Sequence, residues 1–489
     1  MLRDGSDAVA PAAPAGERTG RRLPWSWRTE RPFLVALGVG ALVRVLVQVA
    51  FPPAFIYSDG PTYLGFVDAV QPSPDRPFGY GALLWLLAAV TRGVDAVAIT
   101  QHVLGLVTAV VLYALMRRWG VRPWVATLAA LPALLDEMQL VLEHSVLSDV
   151  LFDLLLVLAI ALLAWHRPPR LGWTAGAGLL LGAATLVRVT GEPTIIAAAI
   201  FCVATAATLR ARALHVAVLV AAFAAPLTAY ATWYHHEHGA WAITQTGGRA
   251  LYMRTTAFVD CSTLSVPSYE RTLCPDDPLG HRQDPTVYGW HDPTTTHALR
   301  PPAGVSADAA MRDFAMTAIR SQPLDYVRTV ARDFTMAFYP SRVDHYEYDT
   351  AYKWSFHHYV DYQPTPDWTG PAYAAHGGEM PTTRHPVADA FDTYGQRVYL
   401  PGPVLLALVV VAVVGFVRRA PRGAPSSRPL IFLTLAMGLG LILLPDVTAE
   451  FTWRYQLPAV LLVPVAAALG WTRLRGGRQP GTTATPSTD

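Results

Sequence analysis

The stretch "PFGYGALLWLLAAV" (residues 77–90) decides the topology of this chain. It is apolar throughout, yet as a helix it would extend only about 21 Å, too short for a hydrocarbon core about 30 Å thick. If it did cross a membrane, the basic loop "RRWGVR" (117–122) would lie outside, although arginine-rich loops stay on the cytoplasmic side. We therefore predict that residues 77–90 lie in the outer membrane interface.

The composition indicates a membrane protein with several spans. The chain has 489 residues, of which 52% are hydrophobic and 15% charged, whereas a soluble domain carries about 25% charged residues. The net charge of +2 gives no sign of a nucleic-acid partner. The first apolar run, 32–51, is long enough to span a bilayer and too long for a cleaved secretory signal, so we interpret it as a retained signal anchor.

Ten apolar runs are candidate spans, and they predict an all-α polytopic fold of about ten transmembrane helices. The runs are 32–51, 96–116, 122–135, 147–165, 171–187, 193–209, 213–233, 398–417, 429–445 and 456–471. With 77–90 outside, every arginine-rich loop falls on the cytoplasmic side, and so do both termini. The predicted parts are a cytoplasmic tail (1–31), a transmembrane module (32–233), an extracytoplasmic domain (234–397), C-terminal helices (398–471) and a second tail (472–489).

The extracytoplasmic stretch has its own recognisable features. Cys261 and Cys274 are predicted to form a disulfide in an oxidising compartment, while Cys202, inside a span, is interpreted as a packing residue. Residues 306–340 read as two amphipathic helices broken near Pro323, so this domain contains α-helix. The aromatic stretch 345–368 fits either a belt resting on lipid headgroups or a wall that contacts sugar or lipid.

Carboxylates and isolated arginines gather on the predicted outer face. Asp59 lies in "FIYSDGPTYLGF" (55–66), where the residue types also fit an ordinary turn. The other candidates are Glu143, His144 and Asp149 around the start of the fourth span, Arg188 and Glu192 in "LVRVTGEP", and Arg454 with Tyr455 in "TWRYQLP". Ionised groups at membrane level are costly and are functional hypotheses by default. Together they suit a substrate that has an anionic phosphate and a reacting hydroxyl.

Two further expectations concern these charged groups. Partial desolvation should raise the pKa of a carboxylate such as Asp59 at the membrane boundary. Arg44, within the first span, either pairs with a carboxylate in the bundle or extends outward along the lipid. The sequence has no P-loop, HExxH or paired CxxC motif, and "HRQDPTVYGWHDPTTTH" (281–297) does not have a recognised ligand spacing, so we name no metal-binding residue.

The order of these segments resembles the GT-C superfamily of membrane glycosyltransferases. The resemblance covers roughly residues 32–235 and is to the family 39, protein-mannosyltransferase and aminoarabinose-transferase group, including Rgt-like sugar transferases. It is carried by the acidic first loop, "RPFGYGALLWLLAAV", "YALMRRWGVRPWVATLAAL" and "EHSVLSDVLFDLLLVLAIALL", and "RYQLPAVLLVPVAAAL" also fits. It implies a polyprenyl-phosphate-linked sugar donor, transfer of a hexosyl or pentosyl group on the outer face, and inversion at the anomeric carbon.

The resemblance also assigns roles to individual residues. Asp59 matches the first-loop aspartate that acts as base or binds the acceptor, although the family often has two adjacent acidic residues there. Asp149 matches the second acidic residue, with Glu143 as the alternative, and Arg188 or Arg454 matches the donor-phosphate arginines. The acceptor is a lipid, a polysaccharide or a protein, and a divalent cation is permitted but not required.

Two other functions stay open at this point. One is a lipid or saccharide flippase or transporter, and the other is a non-catalytic assembly protein of the cell envelope. Transporters place polar groups near the bilayer midplane, often in paired repeats, whereas the charges here cluster at one face and no repeat is evident. The Arg- and Ala-rich composition indicates a bacterial cell membrane.

Overall fold

The computed structural model describes residues 27–342, 351–360, 370–376, 380–418 and 426–475. These residues form nineteen α-helices: α1 (Trp27–Ala50), α2 (Gly60–Asp68), α3 (Gly79–Ala88), α4 (Val94–Arg118), α5 (Pro123–Leu135), α6 (Glu137–His144), α7 (Asp149–Trp165), α8 (Leu171–Val187), α9 (Thr194–Thr205), α10 (Leu209–His238), α11 (Gly247–Thr256), α12 (Ala307–Ser321), α13 (Pro323–Met336), α14 (Phe356–Val360), α15 (Gly370–Ala375), α16 (Val387–Gly395), α17 (Gly402–Val417), α18 (Arg428–Thr448) and α19 (Leu457–Leu474). The protein is an all-α polytopic membrane protein, as predicted.

Each predicted span coincides with a helix, but the helices differ in length. Among the described residues, five are long and apolar enough to cross a membrane, and the bent pair α5–α6, with an angle of 44°, would make a sixth. Other predicted spans, such as α8, α9 and α17, are shorter apolar helices. Length and composition alone therefore support fewer complete spans than the ten predicted, because several of these helices have fewer than 18 residues.

Helix α3 is as short as the sequence requires. It covers Gly79–Ala88, ten residues, which corresponds to about 15 Å of helix. Its glycines allow close packing, since a Cβ on Gly79 would overlap the Leu186 carbonyl and one on Gly81 would lie 2.6 Å from the Phe66 ring. The helix is thereby fixed between α2 and the end of α8, next to the first outer loop.

The C-terminal helix α19 lies in the middle of the transmembrane bundle. It packs against α17 and α18 and also against α5, and nearly all of its residues are buried. At one end Gly470 meets Gly415 of α17 so closely that a Cβ on either would overlap the other helix's backbone. Contacts along its length therefore hold α19 in the bundle, and the preceding turn at Arg454 packs directly against α18 and α19.

The predicted extracytoplasmic stretch contains two hydrophobic clusters. One is formed by α11, α12 and the adjacent loops, and the disulfide between Cys261 and Cys274, with a Cα–Cα distance of 6.0 Å, packs against it. Pro323 begins α13, directly after the break that follows α12. The other cluster joins α14 and α16 to the end of α1 and to α6.

The aromatic stretch 345–368 is described only at residues 351–360. Within that part, Trp354, Phe356 and Tyr359 are buried. Phe356 stacks on Phe51 and Tyr359 stacks on Phe55, at the end of α1 and in the first outer loop. These two rings are therefore packing residues, contrary to both the headgroup belt and the substrate wall that the sequence suggested. The rest of the stretch lies outside the described residues.

The first outer loop is tied to the start of α7. Phe55 N–H donates to the His144 carbonyl at 2.9 Å, and Val146 N–H donates to the Phe55 carbonyl at 2.9 Å. This bridge is the only pairing of β type among the described residues. It places Asp59, four residues after Phe55, on the same side of the bundle as Asp149.

A buried polar network supports this arrangement. Glu143, fully buried, accepts hydrogen bonds from Arg44 at 2.6 Å and Gln139 at 2.8 Å, and it lies 2.8 Å from His102 Nδ1. His144 is fully buried as well, and its Nε2 lies 2.6 Å from the Phe51 carbonyl oxygen. Arg44 thus pairs with a carboxylate inside the bundle and does not extend into lipid. Glu143, the predicted alternative catalytic residue, and His144, a predicted substrate-binding residue, are enclosed by structural contacts.

We predict that Gly105→Ala destabilises the fold. Gly105 on α4 faces this network, and an added Cβ would overlap Oε1 of Glu143, so the buried carboxylate would have to move away from Arg44. Overpacking of this kind costs about 2 kcal/mol, and the midpoint of thermal unfolding in detergent should fall accordingly.

Gly38→Ala is the matched control. Gly38 lies on the exposed face of α1, where an added Cβ meets nothing within 4 Å, and alanine favours helix. This variant should unfold at the wild-type temperature or above it. Equal midpoints for Gly105→Ala and the wild type would contradict the packing described here.

Candidate active site

Asp59 lies in a turn, but its carboxylate does not cap the helix that follows. Asp59 precedes the first residue of α2, and Ser58 before it has a left-handed φ of +54°. The side chain makes no capping hydrogen bond to the helix. Instead, Oδ1 accepts from Arg76 Nη2 at 2.9 Å and Oδ2 accepts from Arg454 Nη2 at 3.1 Å. Both carboxylate oxygens are thus directed at cations from distant parts of the chain.

These arginines set the charge state of Asp59. Burial alone would raise the pKa of the carboxyl, but the guanidinium groups of Arg76 and Arg454 outweigh burial and hold this pKa well below its usual range. The expectation of a raised pKa for Asp59 is therefore wrong. Asp59 is an anion at neutral pH, and it is a weak base while both arginines bind it.

A second carboxylate–arginine pair lies beside the first. Asp149, the first residue of α7, pairs with Arg188, which follows the end of α8. The guanidinium of Arg188 lies 5.3 Å from the ring centre of Tyr455, and that of Arg454 lies 5.4 Å from the same ring. Tyr455 therefore contacts both arginines, and cation–π attraction helps to hold two like charges near each other.

These groups line a narrow cleft. The cleft is lined by Asp149, Phe152, Asp153, Arg188, Thr190, Leu441, Pro445, Arg454, Tyr455 and Pro458. Arg454 is 8% exposed, and its Nε and Nη1 have no hydrogen-bond partner among the described residues. Buried guanidinium N–H groups without partners are available to an anion, which they bind in a fork.

Two residues of this site were missed in the sequence. Arg76 comes directly before the interfacial run and is an isolated arginine on an acidic outer face, the same signal that pointed to Arg188. Trp354 lies with its ring centre 4.9 Å from the Arg454 guanidinium, and its Nε1 donates to Thr452 Oγ1 at 3.1 Å. Trp354 sits in the aromatic stretch, where its sequence neighbours pack elsewhere, so no local pattern distinguishes it.

The segment 284–291, in the stretch predicted to be extracytoplasmic, also reaches the site. Its residue Trp290, in a π-helical turn, lies 5.4 Å from the Arg76 guanidinium and 4.0 Å from that of Arg249. Thr286 Oγ1 donates to Glu450 Oε2 at 2.7 Å. This is part of the histidine-containing stretch 281–297. In the described part of the chain, no group of three or more His, Cys, Asp or Glu side chains is arranged to hold a metal ion.

Other predicted residues lie apart from the cleft. Glu192 is exposed in the turn before α9 and makes no ion pair or side-chain hydrogen bond with any described residue. Glu143 and His144 belong to the buried network, and neither lines the cleft. The cleft thus unites Asp149, Arg188, Arg454 and Tyr455, with Asp59 bound to Arg454 beside them.

We predict that Asp59 makes unfolding depend on pH on the acid side. Because its pKa is lower when folded than when unfolded, the stability that Asp59 contributes is present at neutral pH and is lost as pH falls below about 4. Asp59→Asn should unfold at a lower temperature at pH 7, since Arg76 and Arg454 lose their partner. It should also lose less stability than the wild type between pH 5 and pH 3, measured by thermal unfolding.

Asp95→Asn provides the control for this measurement. Asp95 is an exposed carboxylate in the first turn of α4, so its removal should leave the acid-side slope unchanged. Identical slopes for Asp59→Asn and the wild type would contradict the pairing of Asp59 with the two arginines.

Part of this chain is similar to a known protein family. Residues 75–230, which carry Arg76, Asp149 and Arg188, match the family model described as dolichyl-phosphate-mannose-protein mannosyltransferase. A similar solved structure is that of ArnT from Cupriavidus metallidurans bound to undecaprenyl phosphate, with 13% identity, 91% of this chain and 77% of that chain covered, and a TM-score of 0.33. No curated protein matches this chain. The family match over residues 75–230 confirms the resemblance to the GT-C superfamily of membrane glycosyltransferases that the sequence showed.

Proposed function

We propose that this protein transfers a sugar from a polyprenyl-phosphate donor to an acceptor hydroxyl at the outer face of the membrane. The observation that carries the proposal is the position of Arg454. One of its nitrogens binds Asp59, while Nε and Nη1 have no partner among the described residues, in a cleft shared with Arg188. A phosphate at this position would lie next to a carboxylate able to accept a proton.

The charge of the cleft supports an anionic ligand. Arg76, Arg188 and Arg454 face two paired carboxylates, Asp59 and Asp149, so that one positive charge remains in excess. A phosphate monoester or diester neutralises this excess positive charge and accepts hydrogen bonds from the free N–H groups of Arg454. The matched family is named for a dolichyl-phosphate sugar, which agrees with a polyprenyl-phosphate donor.

The geometry suggests how donor binding prepares the reaction. A phosphate that binds Arg454 competes with Asp59 for the same guanidinium, which weakens the interaction that keeps this carboxylate a poor base. Asp59 then accepts the proton of the acceptor hydroxyl, whose oxygen forms a bond to the anomeric carbon. The bond from that carbon to the phosphate oxygen breaks, and its electron pair leaves on the phosphate, where Arg454 and Arg188 stabilise the charge.

The remaining parts of the proposal follow from topology and from the family resemblance. We propose inversion at the anomeric carbon, a hexosyl or pentosyl group, and an acceptor that is a lipid, a polysaccharide or a protein. We also propose that both termini are cytoplasmic, since the arginine-rich loops then stay inside. The compartment that the site faces would be the cell envelope of a bacterium.

We predict that Asp59→Asn abolishes transfer. Asparagine keeps the size of the side chain but cannot accept the proton, and loss of a general base lowers rates by about 10² to 10⁴-fold. Membranes containing either protein are supplied with a panel of radiolabelled polyprenyl-phosphate sugars, with and without EDTA, and the label is followed into product and free sugar at equal expression. The EDTA arm shows whether a divalent cation takes part.

The control and the alternatives are read from the same assay. Asp95→Asn removes an exposed outer carboxylate outside the cleft and should transfer as the wild type does. Equal transfer by Asp59→Asn would exclude Asp59 as the base. Movement of labelled donor across the membrane without covalent transfer would instead favour a flippase, and an absence of both activities would favour an assembly protein.

A separate prediction concerns the phosphate. Arg454→Gln should weaken donor binding strongly, and Arg454→Lys should recover only part of it, because lysine keeps the charge but loses the fork of N–H groups. The measurement is the concentration of labelled donor that gives half-maximal transfer or half-maximal binding. Arg92→Gln, which removes an exposed arginine paired with Asp68, is the control and should leave donor binding unchanged. Wild-type donor binding by Arg454→Gln would rule out this phosphate site.

A further inference from the structure

A third carboxylate faces the cleft, and neither pair of charges described above includes it. Asp153 lies four residues after Asp149 on α7, so both side chains are on the same side of the helix, and both line the cleft. Asp153 is 3% exposed. Neither of its carboxyl oxygens has a hydrogen-bond partner in the described part of the chain, and no ion pair reaches it there.

An ionised Asp153 would be poorly compensated at this position. A buried carboxylate without a cation or hydrogen-bond donor is strongly disfavoured. The negative charge of Asp149 lies one helical turn away, and Arg188 is already engaged by Asp149. The neutral carboxyl avoids both costs, because it buries no charge and does not repel Asp149.

The anionic ligand expected in the cleft also favours a protonated Asp153. Arg454 lines this same cleft, and its Nε and Nη1, which have no partner among the described residues, are available to an anion. A carboxylate at Asp153 would repel that anion and would cancel the excess positive charge that attracts it. A protonated carboxyl instead has an O–H group, which donates a hydrogen bond to an anionic oxygen.

We infer that Asp153 stays protonated at neutral pH and donates its O–H to a phosphate oxygen of the bound donor. The inference rests on the proposed function and adds a residue that binds the phosphate without adding charge. No covalent step is involved, since the proton remains on Asp153 during binding and transfer. Asp149 and Asp153 thus have different tasks, one holding Arg188 in place and the other contacting the ligand.

Difference infrared spectroscopy tests the protonation directly. Purified wild type in lipid nanodiscs should show, at neutral pH, the C=O stretching band of a protonated carboxyl that Asp153→Asn lacks. The control Asp95→Asn should keep this band. Addition of undecaprenyl phosphate, used as a sugar-free probe, should shift the band in the wild type. If spectra of the wild type and Asp153→Asn are the same in this region, the inference is wrong.

Binding of the same probe tests the contact with phosphate. Asp153→Asn should bind within about threefold of the wild type, because its amide N–H also donates, whereas Asp153→Leu should bind about tenfold more weakly. Tight binding by Asp153→Leu, or equal weakening by Asn and Leu, would overturn the contact. If Asp153→Leu does not fold, binding by Asp153→Asn and the infrared band still test the inference.

The two levels of the proposal fail in different ways. A wild-type protein that binds no polyprenyl phosphate overturns the proposed function and the contact to phosphate together. The infrared band then still shows whether Asp153 is protonated. A wild type that binds the probe, but without any shift of that band, retains the proposed function and removes Asp153 from the phosphate site.

Discussion

The site depends on the carboxylate of Asp59 held between Arg76 and Arg454. This interaction joins the first outer loop to the start of α19, almost at the other end of the chain, and fixes the position of both arginines. It has the right geometry only because other contacts have already brought these segments together. The bridge between Phe55 and Ser145 and the buried pair of Arg44 and Glu143 fix the loop, while the close contact of Gly470 with α17 fixes α19.

Charges at membrane level account for much of what is specific in this protein. Each buried arginine near the cleft needs a carboxylate, and each carboxylate needs a donor, because neither is stable alone at low dielectric. Asp59 and Asp149 meet this requirement for three guanidinium groups, those of Arg76, Arg188 and Arg454, so these ion pairs together carry one net positive charge. A site with this excess charge attracts an anion. The same contacts that stabilise Asp59 also make it a weak base. Its basicity therefore increases only when a ligand binds one of the two arginines in its place.

The sequence predicts the helices well and the pairing of side chains only in part. Each predicted span coincides with a helix, and the run 77–90 forms a helix of only ten residues. The arginines at 188 and 454 were found because isolated cations on an acidic face are unusual. Glu143 and Asp149, only six residues apart, looked equivalent, but α6 ends between them, and one side chain turns into the bundle while the other faces the cleft. That difference depends on Arg44 and His102, which belong to distant helices, and no local pattern specifies it.

The stretch 234–397, which is predicted to be extracytoplasmic, contributes contacts to the site. Trp290 lies against Arg76, and Arg76 binds Asp59. Only Arg76 therefore separates the segment 284–291 from the proposed base. The same segment is anchored at two further points, through Thr286 to Glu450 and through Asp284 to Lys353, at 2.7 Å and 3.6 Å. Glu450 and Lys353 lie close in sequence to Arg454 and Trp354. Since these contacts surround the arginines from the outer side, a shift of this segment would change the position of Arg76 and hence the charge around Asp59. The stretch 234–397 is therefore joined to the site by a defined set of contacts, although no motif in its sequence indicates this.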